Sequence, residues 1–214
     1  MSFDTLAPHY RTLELILAGA LLQRCRTAFL KETVNCRNAV LLGEGPGRFL
    51  VELLRANPQV DVVCVEQSPG MIQQARRALH RQGMDPQRVR FEQEDALTWR
   101  PAPGVFDLVV TNFFLDCFRP EELAKLVTQV SASATANARW LVADFRLPER
   151  GWRRARGRVV LALMYGFFRY ATNLSATRLT PPDTLLETAG FRRTHRRLTN
   201  FGLTHADLWR RTNR

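Results

Sequence analysis

The stretch Ala39-Val40-Leu41-Leu42-Gly43-Glu44-Gly45-Pro46-Gly47-Arg48-Phe49 is a short apolar run that enters a glycine turn and leaves it as a helical pattern. An unbroken apolar run of this length suits a strand buried on both faces. Glycines at alternate positions admit positive φ and let backbone approach a ligand closely. The helix that follows presents its N-terminus, which favours a negative group. A glycine turn alone serves equally well as a bare strand-to-helix connection, so its meaning depends on what surrounds it.

Outward from this turn, short β-rich runs alternate with helical ones, the pattern of βαβ units on a parallel sheet. Strands are expected at 39–43, 60–66, 89–92, 106–111 and 139–145, with helices at 49–55, 69–81 and 120–131. Ser68 and Pro69 open the second of these helices and Gly83 closes it. A helical N-terminal region, Tyr10 to about Thr33, precedes them. The alternation then breaks into a long Arg-rich helix over 152–170, a short helix after Pro181 and Pro182, and two strands at 191–199 and 203–211. Asn200, Phe201 and Gly202 are too short a link for a parallel crossover, so the last two strands form an antiparallel hairpin. The expected fold class is α/β: a Rossmann-like, seven-stranded, mostly parallel sheet with a C-terminal antiparallel hairpin and helices on both faces.

Two acids fall where such a sheet binds ligands. Roughly twenty residues beyond the glycine turn, Val62-Val63-Cys64-Val65-Glu66 places a carboxylate at the C-terminal end of the neighbouring strand, able to accept both hydroxyls of a ribose. Phe91-Glu92-Gln93-Glu94-Asp95-Ala96 places another just beyond the third strand, within reach of an adenine amino group.

These elements, in this order, resemble the class I S-adenosylmethionine-dependent methyltransferases over nearly the whole chain. The opening Phe3-Asp4-Thr5-Leu6-Ala7-Pro8-His9-Tyr10 is similar to the start of small-molecule members, including the quinone C-methyltransferase group. Phe106 to Leu115 matches the family's fourth-strand motif, and Ala189-Gly190-Phe191 its lead-in to the terminal strands. The resemblance implies that S-adenosyl-L-methionine is bound by Gly43, Glu44, Gly45, Gly47, Glu66, Gln67, Asp95, Ala96 and Asn112. It departs at Leu41, where the family usually carries an acid two residues before the first glycine; Glu44, inside the turn, is either the group that neutralises the cofactor's amino group instead or a side chain that points into solvent. Asp116 is the best-placed general base and Tyr10 a further catalytic candidate, with His9 beside it as a lid residue. Structural roles compete with each: Asp116 as a helix-start residue, His9 as a surface or capping histidine.

The resemblance divides one 214-residue domain into an N-terminal helical region (1–35), a cofactor-binding core (36–147), a helical lid or acceptor segment (148–182), and a last helix with terminal hairpin (183–214). In the lid segment Leu161, Leu163, Met164, Tyr165, Phe167, Phe168 and Tyr170 exceed what one face of a surface helix needs and suit an adaptable apolar pocket. The expected acceptor is a small apolar or amphipathic molecule.

The formal net charge is +11, with Arg150, Arg153, Arg154, Arg156, Arg158, Arg192, Arg193, Arg196 and Arg197 crowded after Leu147. Such an excess suits an anionic membrane surface or an acidic group on the substrate, and equally a solvated surface on which Arg replaces Lys. Cys25, Cys36, Cys64 and Cys117 are scattered without a CxxC pair, which points to a reduced, cytoplasmic setting without a zinc site. No apolar run reaches the roughly 20 residues needed to span a bilayer, and Leu13 to Leu22, flanked by acids, reads as an amphipathic helix rather than a leader. Three other functions compete. A nicotinamide oxidoreductase would carry GxGxxG, whereas Arg48 follows Gly47 here; a nucleic-acid methyltransferase would carry two prolines where Phe113 and Phe114 stand; and a non-catalytic cofactor-binding module would explain Leu41.

Overall fold

The computed structural model describes residues 19–172 and 179–212. Its strands are β1 (Asn38–Leu42), β2 (Asp61–Val65), β3 (Val89–Glu92), β4 (Phe106–Asn112), β5 (Ala134–Phe145), β6 (Phe191–Thr199) and β7 (Thr204–Arg211). Between them run helices α1 (Gly19–Arg26), α2 (Arg48–Ala56), α3 (Pro69–Arg81), α4 (Pro120–Ser133), α5 (Gly151–Thr172) and α6 (Asp183–Thr188). The strands form one seven-stranded sheet in the order β3-β2-β1-β4-β5-β7-β6. The pairs among β1 to β5 are parallel, and β7 runs antiparallel to both β5 and β6.

Side-chain alternation along the central strands builds a core on each face of this sheet. Val40, Leu42, Val109, Trp140 and Val142 point to one face and pack with Leu123, Val127 and Val130 of α4. Ala39, Leu41, Leu108, Val110 and Leu141 point to the other and pack with Phe49, Leu50 and Leu53 of α2. Each large apolar side chain so buried contributes about 1.5–3 kcal/mol, before entropy is charged against it. Strand β5 begins at Ala134, five residues earlier than the sequence pattern indicates, because α4 runs straight into it. The early residues escape the apolar pattern since the pairing with β4 is irregular between Phe106 and Leu108, and Ala136 and Asn137 are exposed.

The arginine-rich end is less bare than its sequence implies. Arg196 clasps Asp207 through two bonds, Nε to Oδ1 at 2.7 Å and Nη2 to Oδ2 at 2.6 Å, and both Arg193 and Arg196 pair with Asp183. Arg192, Arg193, Arg196 and Arg197 all lie on β6, an edge strand, where charge discourages pairing with another chain's strand. The unbalanced charge is on α5: from Arg150 to Gly166 there are five arginines and no acid. No helix among the described residues is long and apolar enough to cross a membrane.

Candidate active site

The C-terminal ends of β1, β2 and β4 surround a cavity lined by Gly43, Glu44, Gly45, Glu66, Gln67, Glu94, Asp95, Ala96, Asn112 and Phe113, among others. This is where an open parallel sheet receives its ligand, because the strands diverge at the point where their order reverses. Here β1 lies between β2 and β4, so the reversal occurs at β1.

The glycine turn is shaped by two different demands. Gly43 and Gly45 have φ of +63° and +65°, and no heavy atom lies within 4 Å of where a Gly45 side chain would begin, so the space beside it belongs to the cavity. A Cβ on Gly43 would run into the Phe114 ring, reaching Cε2 at 2.6 Å. Gly47 departs from expectation. It is not in the cavity wall; it caps α2 in a left-handed conformation, and a Cβ there would approach the Ala75 Cα of α3 to 2.9 Å. Its glycine is required for helix packing.

Each acid is fixed by backbone. Glu66 Oε2 accepts from the Gly45 N–H at 3.1 Å and Oε1 from the Ser68 N–H at 2.9 Å, which holds the carboxylate at the rim between β1 and β2. Asp95 Oδ1 accepts from the Leu97 N–H at 2.9 Å, turning the loop after β3 back toward the cavity. Glu44 folds inward rather than into solvent: its Oε1 accepts from Phe49 and Leu50 at 2.8 and 2.9 Å, the N–H groups that Gly47 cannot cap. Burial pushes the Glu44 carboxyl up to about 7, against those backbone bonds and the nearby Arg26. Leu41 is fully buried in the α2-side core, so nothing at that position reaches the cavity.

Two features of the wall had no local signal in the sequence. Arg26, at the end of α1, is largely buried, lines the cavity and lies 5.1 Å over the Phe113 ring. Phe113 takes φ of +54°, uncommon for a non-glycine residue, and carries the chain from β4 around the cavity floor.

Asp116 lies behind this floor in a 3-10 turn, buried rather than at a helix start. Its backbone N–H donates to Asp144 Oδ2 at 3.1 Å, and its Oδ2 accepts from the Tyr165 hydroxyl of α5 at 3.3 Å. Burial raises both the Asp116 and the Asp144 carboxyls, and their proximity raises Asp144 further. A second cavity of about 890 Å³ opens beneath α5, with Asp144, Leu147, Leu161, Tyr165, Pro181 and His205 in its wall. Asp144, Tyr165 and His205 come from β5, α5 and β7, too far apart in sequence to form a motif. Tyr10 and His9 lie outside the described residues, as do the side chains of Phe167, Phe168 and Tyr170.

Comparison with known proteins shows the family. The family model described as "Methyltransferase domain" matches residues 40–146, from the first strand through the turn after β5. The chain belongs to the methyltransferase domain family. It is 27% identical, over 97% of its length and 89% of the relative's, to a demethylmenaquinone methyltransferase from Deinococcus radiodurans. Its fold matches that of the mitomycin 7-O-methyltransferase MmcR at a TM-score of 0.73 and 20% identity, covering 99% of this chain but only 61% of that one. It also matches a 1,6-didemethyltoxoflavin N1-methyltransferase from Burkholderia thailandensis, solved with S-adenosylhomocysteine and 1,6-didemethyltoxoflavin, at a TM-score of 0.68 and 17% identity over 98% of this chain and 86% of that one.

This methyltransferase uses S-adenosylmethionine, and its first cavity fits that cofactor. The buried Asn112 Nδ2 lines the cavity and has no hydrogen-bond partner among the described residues, an expense that a ligand carboxylate would relieve.

Proposed function

We propose that the methyltransferase methylates a small, apolar or amphipathic acceptor held in the second cavity, and that it collects this acceptor at an anionic membrane surface. In this reading Gly43, Glu44, Gly45, Glu66, Gln67, Asp95, Ala96 and Asn112 hold the cofactor, with Arg26 beside its carboxylate. The cofactor supplies an activated methyl group on a sulfonium, so positioning the acceptor provides much of the acceleration. Asp116, buried against Asp144 of the second cavity's wall, is the candidate to assist with a proton.

The observation that carries the proposal is the second cavity itself: it has Asp144 in its wall and lies beneath Leu161 and Tyr165. The outer face of the same helix supports the membrane part. Trp152, Val159 and Leu163, with Phe201 from the β6–β7 connection, are each at least 60% exposed, and Trp152 packs on Phe201 at 5.6 Å. Arg153 lies 5.8 Å from the Trp152 ring. Apolar side chains set among arginines without acids complement an anionic bilayer, into which the rings and aliphatic groups insert. The demethylmenaquinone methyltransferase relative takes its name from an amphipathic molecule of the class proposed. The test is transfer of tritiated methyl from S-adenosylmethionine in cell extract: label in the organic-soluble fraction supports the reading, and label confined to RNA, DNA or protein overturns it.

A further inference from the structure

The second cavity, at about 890 Å³, falls in the range of roughly 300–1,000 Å³ typical of small-molecule sites. Its wall has an apolar part, with Leu147, Leu161, Tyr165 and Pro182, and a charged part, with Asp144, Arg146, Arg158, Asp183, Arg196 and His205. No residue of this wall also lines the cavity at the glycine turn, so a ligand held here does not compete with the cofactor for contacts.

The charged part does not balance. Arg196 is clasped by Asp207 and also meets Asp183, which is shared with Arg193, so these two acids are spent on two arginines. Burial disfavours the charged form of Asp144, which therefore offers little to offset a cation. Arg146 is left with Glu149, whose Oε1 is 3.6 Å away and whose side chain is 79% exposed, a weak surface pair. Arg158 of α5 has no hydrogen-bond or ion-pair partner among the described residues. Two arginines thus line the cavity without an acid to match them.

A third side chain of the wall lacks partners. His205 of β7 is 4% exposed, and neither ring nitrogen makes a hydrogen bond among the described residues, Nε2 lying 3.4 Å from Asp207 Oδ2. Burial, with Arg196 and Arg146 nearby, holds its imidazole down to about 4, so it is neutral. A neutral imidazole has one donor and one acceptor to satisfy, and buried polar groups are seldom left unsatisfied. A polar group on a ligand in the cavity supplies what is missing. Guanidinium groups match carboxylate and phosphate oxygens in a paired geometry, and the apolar wall suits the rest of such a molecule.

We propose that the second cavity binds an acidic amphiphile, its carboxylate or phosphate head drawn to Arg146 and Arg158 beside His205 and its apolar body lying against Leu147, Leu161 and Tyr165. This rests on the reading of that cavity as a ligand site and adds the ligand's charge.

The experiment is calorimetry of the full chain against decanoate and decanol, which share a tail and differ in the charge of the head. Decanoate should bind at least roughly tenfold more tightly than decanol, and Arg158→Gln should remove roughly tenfold or more of its affinity, the usual loss for a hydrogen bond to a charged group. Ala162→Trp, at an exposed position in the cavity wall, should abolish binding by filling the space. Trp152→Ser combined with Leu163→Ser, at exposed positions of α5 outside that wall, should leave decanoate affinity unchanged. All these variants should bind S-adenosylhomocysteine as the wild type does, which shows them folded. Equal affinity for decanoate and decanol overturns the proposal, as does decanoate binding that survives Ala162→Trp or is lost with the Trp152 and Leu163 pair. Displacement of decanoate by an equal concentration of inorganic phosphate overturns it too, since the site would then read the anion alone. The tritium assay tests the acceptor reading separately: label confined to macromolecules overturns that reading and leaves the decanoate result standing.

Discussion

Glu66 Oε2 accepts the Gly45 N–H at 3.1 Å, so the acid at the end of β2 and the glycine turn after β1 form one rigid rim. In the proposed reading, the carboxylate assigned to the cofactor's ribose also fixes the backbone assigned to its methionine half. Calorimetry with S-adenosylhomocysteine should show Glu66→Ala weakening binding by about 1.5–3 kcal/mol, the range for hydrogen bonds to a charged group, or roughly tenfold to a hundredfold. Unchanged affinity would remove Glu66 from the site.

Glu44 gives a pH dependence of defined sign. Its carboxyl is raised from 4.5 to about 7 in the folded protein, so the unfolded chain ionises first and stability is lost as pH rises through that window. Glu44→Gln keeps an oxygen for the Phe49 and Leu50 N–H groups and should flatten this decline in thermal unfolding. A cationic ligand group favours the ionised form, so wild-type affinity for S-adenosylhomocysteine should climb as pH passes about 7, and the variant's should not. Glu121→Gln, on the exposed surface, serves as the control; equal behaviour of the two variants would place Glu44 away from the ligand.

The glycines of the turn should separate by phenotype. Gly45→Ala meets no atom and pays only for its left-handed backbone, about 1–2 kcal/mol, yet it fills the space next to the cavity and should lose cofactor affinity while staying folded. Gly47→Ala pays the same backbone cost and also drives into Ala75, so differential scanning calorimetry should show the larger loss of melting temperature. The opposite ranking would mean that the turn is not organised as described.

Membrane capture should depend on both chemistries of α5. Flotation with phosphatidylglycerol vesicles should retain the protein at low salt and release it as salt screens the arginines, whereas phosphatidylcholine vesicles should retain little. Trp152→Ser combined with Leu163→Ser removes exposed side chains and should abolish flotation with little change in melting temperature. Flotation indifferent to lipid charge, salt and both substitutions would refute the surface.

The sheet was legible in the sequence because its signals are local: apolar runs such as Val62 to Val65, the Ser68–Pro69 helix start, and a hairpin link only three residues long. Glu66, Asp95 and the glycine turn were legible because each sits at a fixed offset from a strand end. The packing demand on Gly47 was not legible, because a glycine required by a neighbouring helix, here through Ala75, looks like a binding glycine until that helix is in place. Arg26, Asp144 and His205 left no trace, since they meet other wall residues only when α1, β5 and β7 converge, and Tyr165 was legible only as one of the apolar side chains of the lid helix. The arginines of β6 gave a misleading trace, because their partners Asp183 and Asp207 are distant along the chain or hidden in the strand.

Strand β7 occupies the place between β5 and β6, although β6 precedes it along the chain. On the ribosome β6 is therefore made before the seat it will occupy exists. Until β7 has docked its Trp209 and Leu208 against β5, the β5 edge stays open and the arginines of β6 are held apart from Asp207. At this margin the protein is assembled in the reverse of the order in which it is synthesised, which makes the open β5 edge the point where a nascent chain is most exposed to wrong pairing.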